Sequence, residues 1–249
     1  MIARRPMLIA ALLSVVLGGT AFAGETKVAV AANFTEAAKE IAAKFKARTG
    51  HDASLSFGAS GQFYTQIANG APYEVFLSAD AERPRKAETE GLAVPGSRFT
   101  YATGRLVLFS KTPGLVDGRG AMLARSKFEK LSIADPKTAP YGQAAVETLT
   151  RLKLYDALKP KIVQGASITQ AFQYVQTGAA ELGFVALSQV IAEPGGSRWI
   201  VPASHHTPID QQAVLLKTGA DSEAAKAFLK FLKSGEAKAI IKRYGYEVR

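Results

Sequence analysis

The chain has no cysteine among its 249 residues, so neither a disulfide nor a thiolate metal site can form, and stability must come from a buried core. Histidine is nearly as scarce, limited to His51, His205 and His206. The pair His205-His206 sits in a Pro-flanked polar loop with no third histidine at helical spacing, which argues against a metal centre. No basic run is interleaved with aromatics, so nucleic acid is not an expected partner. Long apolar runs are absent beyond the N-terminus. The run there, Met7 to Leu17, is about half of the roughly 20 residues needed to cross a bilayer.

That run has its own meaning. It follows Arg4-Arg5 and precedes Ala21-Phe22-Ala23, the order of a positive region, an apolar core and a small-residue cleavage site. Residues 1–23 therefore read as the signal peptide of an exported protein, with cleavage expected after Ala23. The chain is 47% apolar, and the remaining about 225 residues suffice for one large domain or two modest ones. A net charge of +10, reduced by two once Arg4 and Arg5 are removed, reads as a solvated basic surface whose field favours the approach of small anions.

The organising stretch is Val28 to Phe45, VAVAANFTEAAKEIAAKF, a short apolar strand running into an amphipathic helix. Phe34, Ala37, Ala38, Ile41, Ala42 and Phe45 follow the i, i+3, i+4, i+7 pattern and define a buried face. Asn33 is placed to cap the helix, and Glu36 stands three residues on, the spacing of a capping box. A strand that ends at a helix start aims free N–H groups at one point, which suits an anion.

The same unit recurs. A strand at Asp52 to Phe57 leads through Gly58-Ala59-Ser60-Gly61 into a helix. A strand at Leu131 to Ala134 leads through a Pro-rich turn into a helix at Tyr141 to Leu152. Ile162-Val163 leads through Gly165-Ala166-Ser167 into a helix at Ile168 to Gln176, with Ser167 as its cap. Further strands are expected at Val75 to Leu77, Leu106 to Phe109, Gly183 to Leu187, Trp199 to Val201 and Gln212 to Leu216, and two basic helices close the chain. Alternating elements of this length imply an α/β protein with parallel sheets covered on both faces. Each half supplies two turns that open a helix, and ligands of open α/β sheets bind outside the carboxyl ends of the strands.

The residues that open these helices, Ala32-Asn33, Ala59-Ser60, Pro140-Tyr141 and Ala166-Ser167-Ile168, carry no Asp, Glu, Lys, Arg or His. They suit an oxyanion held by neutral donors, whose desolvation is offset by charge-assisted hydrogen bonds of about 1.5–3 kcal/mol each. A protonated phosphate is a poorer guest, because its O–H needs an acceptor. Ser60 also sits where a strand-to-helix nucleophile would, with the histidines as candidate bases, but the chain lacks G-x-S-x-G at this turn. Trp199 reads as core.

The order of these segments is recognisable. VAVAANFTEA, SFGASGQFYTQIANGAPYEVFLSAD, DPKTAPYGQAA, GFVALS and the terminal KRYGY resemble the periplasmic molybdate-binding proteins of ABC importers, the ModA family. The resemblance implies a type II periplasmic-binding-protein fold: two Rossmann-like lobes joined by two crossover strands, with the ligand in the cleft. It places lobe 1 at residues 24–104 and 217–249 and lobe 2 at 105–216, with crossovers near Gly104 to Phe109 and Asp210 to Leu216. It puts the oxyanion donors at Ala32, Asn33, Ser60, Tyr141 and Ile168. Some members carry a Tyr hydroxyl where this chain has Ala186. The implied ligand is molybdate or tungstate, with no cofactor and no enzymatic activity. The implied partners are a membrane permease and its cytoplasmic ATPase, the location periplasmic and the receptor monomeric. A receptor for sulfate or another tetrahedral oxyanion, and a secreted serine hydrolase using Ser60, are the alternatives.

Overall fold

The computed structural model describes residues 23–248. The expected signal peptide, apart from Ala23, lies outside them. In chain order, β1 (Glu25–Ala31) passes through a 3-10 turn, Ala32–Phe34, into α1 (Thr35–Thr49), β2 (Asp52–Gly58) into α2 (Ser60–Ala68), and β3 (Val75–Ser78) into α3 (Glu82–Thr89). Then come β4 (Phe99–Gly104), β5 (Leu106–Ser110), α4 (Met122–Arg125), β6 (Leu131–Ala134), α5 (Pro140–Arg151) and α6 (Tyr155–Leu158). The next elements are β7 (Ile162–Gly165), α7 (Ile168–Gln176), β8 (Leu182–Ala186), α8 (Leu187–Val190) and β9 (Ser197–Ile200). The chain finishes with β10 (Ile209–Leu215), α9 (Glu223–Leu232) and α10 (Gly235–Arg243).

These strands form two five-stranded sheets, β2-β1-β3-β10-β4 and β7-β6-β8-β5-β9. The sheets are mixed rather than parallel. β10 runs antiparallel to β3 and β4, and β5 antiparallel to β8 and β9. The reason is where the chain crosses. β4 and β9 leave their sheets at the end where the carboxyl termini of the parallel strands lie, so the strand entering the other sheet there must run back inward. One crossing is Arg105 and the other is residues 201–208. The expectation that Asp210 to Leu216 belongs with the second half as a crossover strand is therefore corrected, because β10 is hydrogen-bonded within the first sheet. β4 itself had not been anticipated.

Side-chain alternation sends each strand's residues to two faces. In β1, Val28 and Val30 join Phe34, Ile41 and Phe45 of the α1 layer and Phe228 and Ile241 of α9 and α10, while Ala29 packs with Phe63 and Phe76 on the opposite face. In β5, Leu106 and Leu108 meet Ile133, Phe184 and Leu149, while Val107 and Phe109 meet Val175 and Val185. Each fully buried side chain of this size contributes about 1.5–3 kcal/mol. Trp199 is buried in the second core, as its sequence context implied.

Candidate functional site

The carboxyl ends of β1, β2 and β6, and the turn after β7, converge between the two sheets. Around a small space stand Ala31, Ala32 and Asn33; Gly58, Ala59 and Ser60; Ala79; Ala139, Pro140 and Tyr141; and Ile168. The structure thus brings together all five residues anticipated as oxyanion donors, from segments up to 136 positions apart.

Each of these five residues stands in the first turn of a helix or of its 3-10 lead-in, where N–H groups have no intrahelical acceptor. Ser60 opens α2, and Ile168 opens α7 behind Ser167, whose hydroxyl accepts from Gln170 N at 3.4 Å as the expected cap. Pro140 occupies the first position of α5, where its fixed φ is favourable and it has no N–H, so Tyr141 presents the first N–H of that helix. The Ser60 hydroxyl accepts from the buried Ala79 N–H at 2.9 Å, which leaves its own proton free for a guest. No Asp, Glu, Lys, Arg or His lines the space.

Asn33 departs from expectation. The chain makes a 3-10 turn before α1, so the helix starts later and Asn33 does not cap it; Glu36 pairs with Lys39 in solvent instead. The Asn33 side chain turns inward, donating to Gln211 Oε1 at 2.9 Å and to Tyr246 Oη at 3.0 Å. Gln211 Oε1 also accepts from Tyr101 Oη at 3.0 Å, and Gln211 Nε2 donates to Tyr141 Oη at 3.3 Å. A register shift between Gln211 and Gln212 in the β10–β4 ladder accompanies the inward placement of Gln211, an effect typical of β-bulges beside functional sites. Burial pushes the phenols of Tyr101, Tyr141 and Tyr246 well above their usual range, so all three are neutral donors or acceptors. The sequence reading does not single out Gln211, Tyr101 or Tyr246; the paired glutamines before the apolar run Ala213-Val214-Leu215 were the available signal.

Besides the Gln211–Tyr141 bond, further hydrogen bonds join the two halves around the site. Gly61 N donates to Thr138 O at 2.8 Å and Arg83 Nη2 to Lys137 O at 3.1 Å. Thr169 Oγ1 donates to Ala32 O at 3.4 Å, and Ser188 Oγ to Asn33 O at 2.8 Å. Ala186, buried at the end of β8, does not line the space, and its N–H goes to Gln189 Oε1. His205 lies elsewhere, edge-on to Trp199, and no histidine lines the space around Ser60, so no base is at hand for a nucleophile. Among the described residues no cluster of three His, Cys, Asp or Glu could hold a metal ion.

Two α/β halves meeting around a small space lined by no charged side chain define a solute receptor of the periplasmic-binding type. The profile of the bacterial extracellular solute-binding proteins matches residues 26–247, and the chain belongs to that family, one of transport receptors rather than enzymes. It is 60% identical to the molybdate-binding protein ModA of Rhodobacter capsulatus over 91% of this chain and 89% of that protein. Its structure superposes on the periplasmic molybdate-binding protein of Azotobacter vinelandii with a TM-score of 0.87 at 45% identity, covering 90% of this chain and 99% of that one. The sulfate-binding protein SubI of Mycobacterium tuberculosis shares the fold, with a TM-score of 0.78 at 13% identity over 90% and 87% of the two chains.

Proposed function

We propose that this protein is an exported receptor that captures molybdate, and also tungstate, and delivers it to the permease of an ABC importer driven by a cytoplasmic ATPase. The observation that carries the reading is the convergence of four helix starts from two sheets on one space free of charged side chains. A dianion there meets only N–H and O–H donors, each charge-assisted bond contributing about 1.5–3 kcal/mol. The donors are the N–H groups at Ala32, Asn33, Ser60, Tyr141 and Ile168 and the Ser60 hydroxyl. Molybdate and tungstate share charge and nearly share size, so a cage of this kind admits both.

On this reading the two halves are lobes that open about Arg105 and residues 201–208. Ligand favours the closed arrangement because only there do Asn33 and Ser60 face Tyr141 and Ile168. The receptor acts as a monomer in the periplasm after removal of residues 1–23. The high identity to molybdate-binding relatives supports the choice of guest.

The test is a melting series of the mature chain with molybdate, tungstate, sulfate and phosphate. A ligand at about 100 times its dissociation constant stabilises by about 2.7 kcal/mol, a rise of roughly 5–10 °C for a chain of this size. A rise with molybdate and tungstate alone is expected. An equal rise with sulfate would move the assignment to a general tetrahedral oxyanion receptor, and no rise with any of them would remove the assigned ligand.

A further inference from the structure

Between the oxyanion cage and solvent, the first half grips the turn that carries a donor of the second. Residues 135–139 form a tight knot. Asp135 O accepts from Ala139 N at 2.9 Å, Asp135 Oδ1 from Lys137 N at 3.0 Å, and Asp135 Oδ2 from Thr138 Oγ1 at 3.2 Å. The knot runs directly into Pro140 and the Tyr141 N–H. Two carbonyls on it are taken by the opposite half. Gly61 N, one residue after Ser60, donates to Thr138 O at 2.8 Å. Arg83, held by Asp80 through its backbone N–H at 2.8 Å and its guanidinium at 2.5 Å, extends its other guanidinium nitrogen to Lys137 O at 3.1 Å.

The contact leaves no room at position 61. A Cβ built there would stand 2.9 Å from Thr138 Cα, 3.0 Å from Thr138 O and 3.1 Å from Arg83 Nη2, against about 3.5–4 Å for an ordinary carbon contact. Two of these neighbours are backbone atoms of a knotted turn, which cannot swing aside. Nothing in α2 itself asks for glycine, since its φ lies outside the left-handed region and alanine is the better helix former. The glycine is therefore explained by the approach of the other half, not by its own helix.

We propose that Gly61 and Arg83 are positioning residues that set oxyanion affinity without touching the oxyanion, by holding residues 137–138 so that the Tyr141 N–H faces Ser60 in the closed receptor. This rests on the molybdate reading above. A substitution that obstructs the contact penalises the closed form alone, so it weakens ligand binding while leaving the open, ligand-free fold intact.

The experiment is calorimetric titration of molybdate into the mature wild-type chain and into Gly61→Ala, Arg83→Lys and Gly235→Ala, with a ligand-free melt of each. Gly61→Ala is expected to raise the dissociation constant by about tenfold or more, the equivalent of about 1.4 kcal/mol, with a ligand-free melting point equal to or above wild type. Arg83→Lys keeps the charge but not the two-sided reach, and is expected to weaken binding less than Gly61→Ala does. Gly235→Ala, where a Cβ meets nothing within 4 Å, is expected to bind as wild type does. Binding by Gly61→Ala within about twofold of wild type would overturn the proposal. So would a ligand-free melting point that falls in step with affinity, because the glycine would then serve the fold. If the wild-type titration is itself flat with molybdate, the ligand assignment fails instead, and the same variants are compared with whichever of tungstate or sulfate the wild type binds.

Discussion

Asn33 and Tyr246 exchange hydrogen bonds across 213 positions of sequence: the Asn33 side-chain amide donates to the Tyr246 hydroxyl at 3.0 Å, and that hydroxyl donates to the Asn33 carbonyl at 2.6 Å. Gly245, at φ +82°, makes the left-handed turn after α10 that sends Tyr246 into the core. There its ring meets Phe34 edge-on at 5.3 Å. The end of the chain thereby fixes the peptide that carries the first donor turn.

Tyr246→Phe keeps the ring and removes both bonds, leaving the buried Asn33 carbonyl and amide short of a partner. Stability is expected to fall by about 1–3 kcal/mol in urea unfolding, and molybdate affinity by about fivefold, because the Asn33 peptide loses its hold. Unchanged values in both measurements would show that the exchange does not position the turn.

Ser60→Ala separates two roles of one hydroxyl. The Ala79 N–H loses its acceptor inside the protein, a loss of about 1–3 kcal/mol seen as a lower melting point without ligand. The oxyanion loses a donor, and its affinity is expected to fall by about 10–100-fold in titration. If the melting point falls and the affinity does not, the Ser60 hydroxyl belongs to the scaffold alone.

The helix-opening turns that line the space were legible because their signal is local. A short apolar run, one or two small residues and the start of an amphipathic face mark Ser60, Tyr141 and Ile168 without reference to the rest of the chain. The orientation of β5 and β10 was not legible, since alternation of side chains has no direction. What reverses these strands is the point at which the chain crosses between sheets. The capping role expected of Asn33 failed for a related reason: its side chain is drawn inward by Gln211 and Tyr246, contacts that only the tertiary fold creates. Gln211 was hidden because the bulge that places it appears only when β4 and β10 pair.

Gly104→Ala tests that buried network from the opposite side. A Cβ there would lie 2.1 Å from Tyr141 Oη and 2.7 Å from Gln211 Nε2, with no left-handed backbone requirement to confuse the outcome. Overpacking of this kind destabilises by about 1–3 kcal/mol, and displacement of Tyr141 is expected to weaken molybdate binding in parallel. Adding Tyr141→Phe removes the closest clash, so the double variant is expected to recover part of the lost stability. A double variant no more stable than Gly104→Ala would break the link between these two positions.

The pH dependence follows from what surrounds the cage. Its one titratable lining residue is Tyr141, and burial raises the phenols of Tyr141, Tyr101 and Tyr246 above their values in an unfolded chain, so all three stay neutral through the physiological range. Molybdate affinity is therefore expected to be flat between about pH 6 and 9, in contrast to a site using His or a protonated ligand. Stability should behave differently at the alkaline end. A folded-state pKa above the unfolded value means the unfolded chain releases the proton first. The stabilisation from these phenols is complete below about pH 10 and is lost as pH rises from there toward the folded values. Melting points measured from pH 7 to 11 should fall above about pH 10, and the fall should be smaller in Tyr246→Phe, which has one buried phenol fewer. An affinity that changes severalfold between pH 6 and 9 would place a titrating group at the oxyanion that the present donor set does not contain.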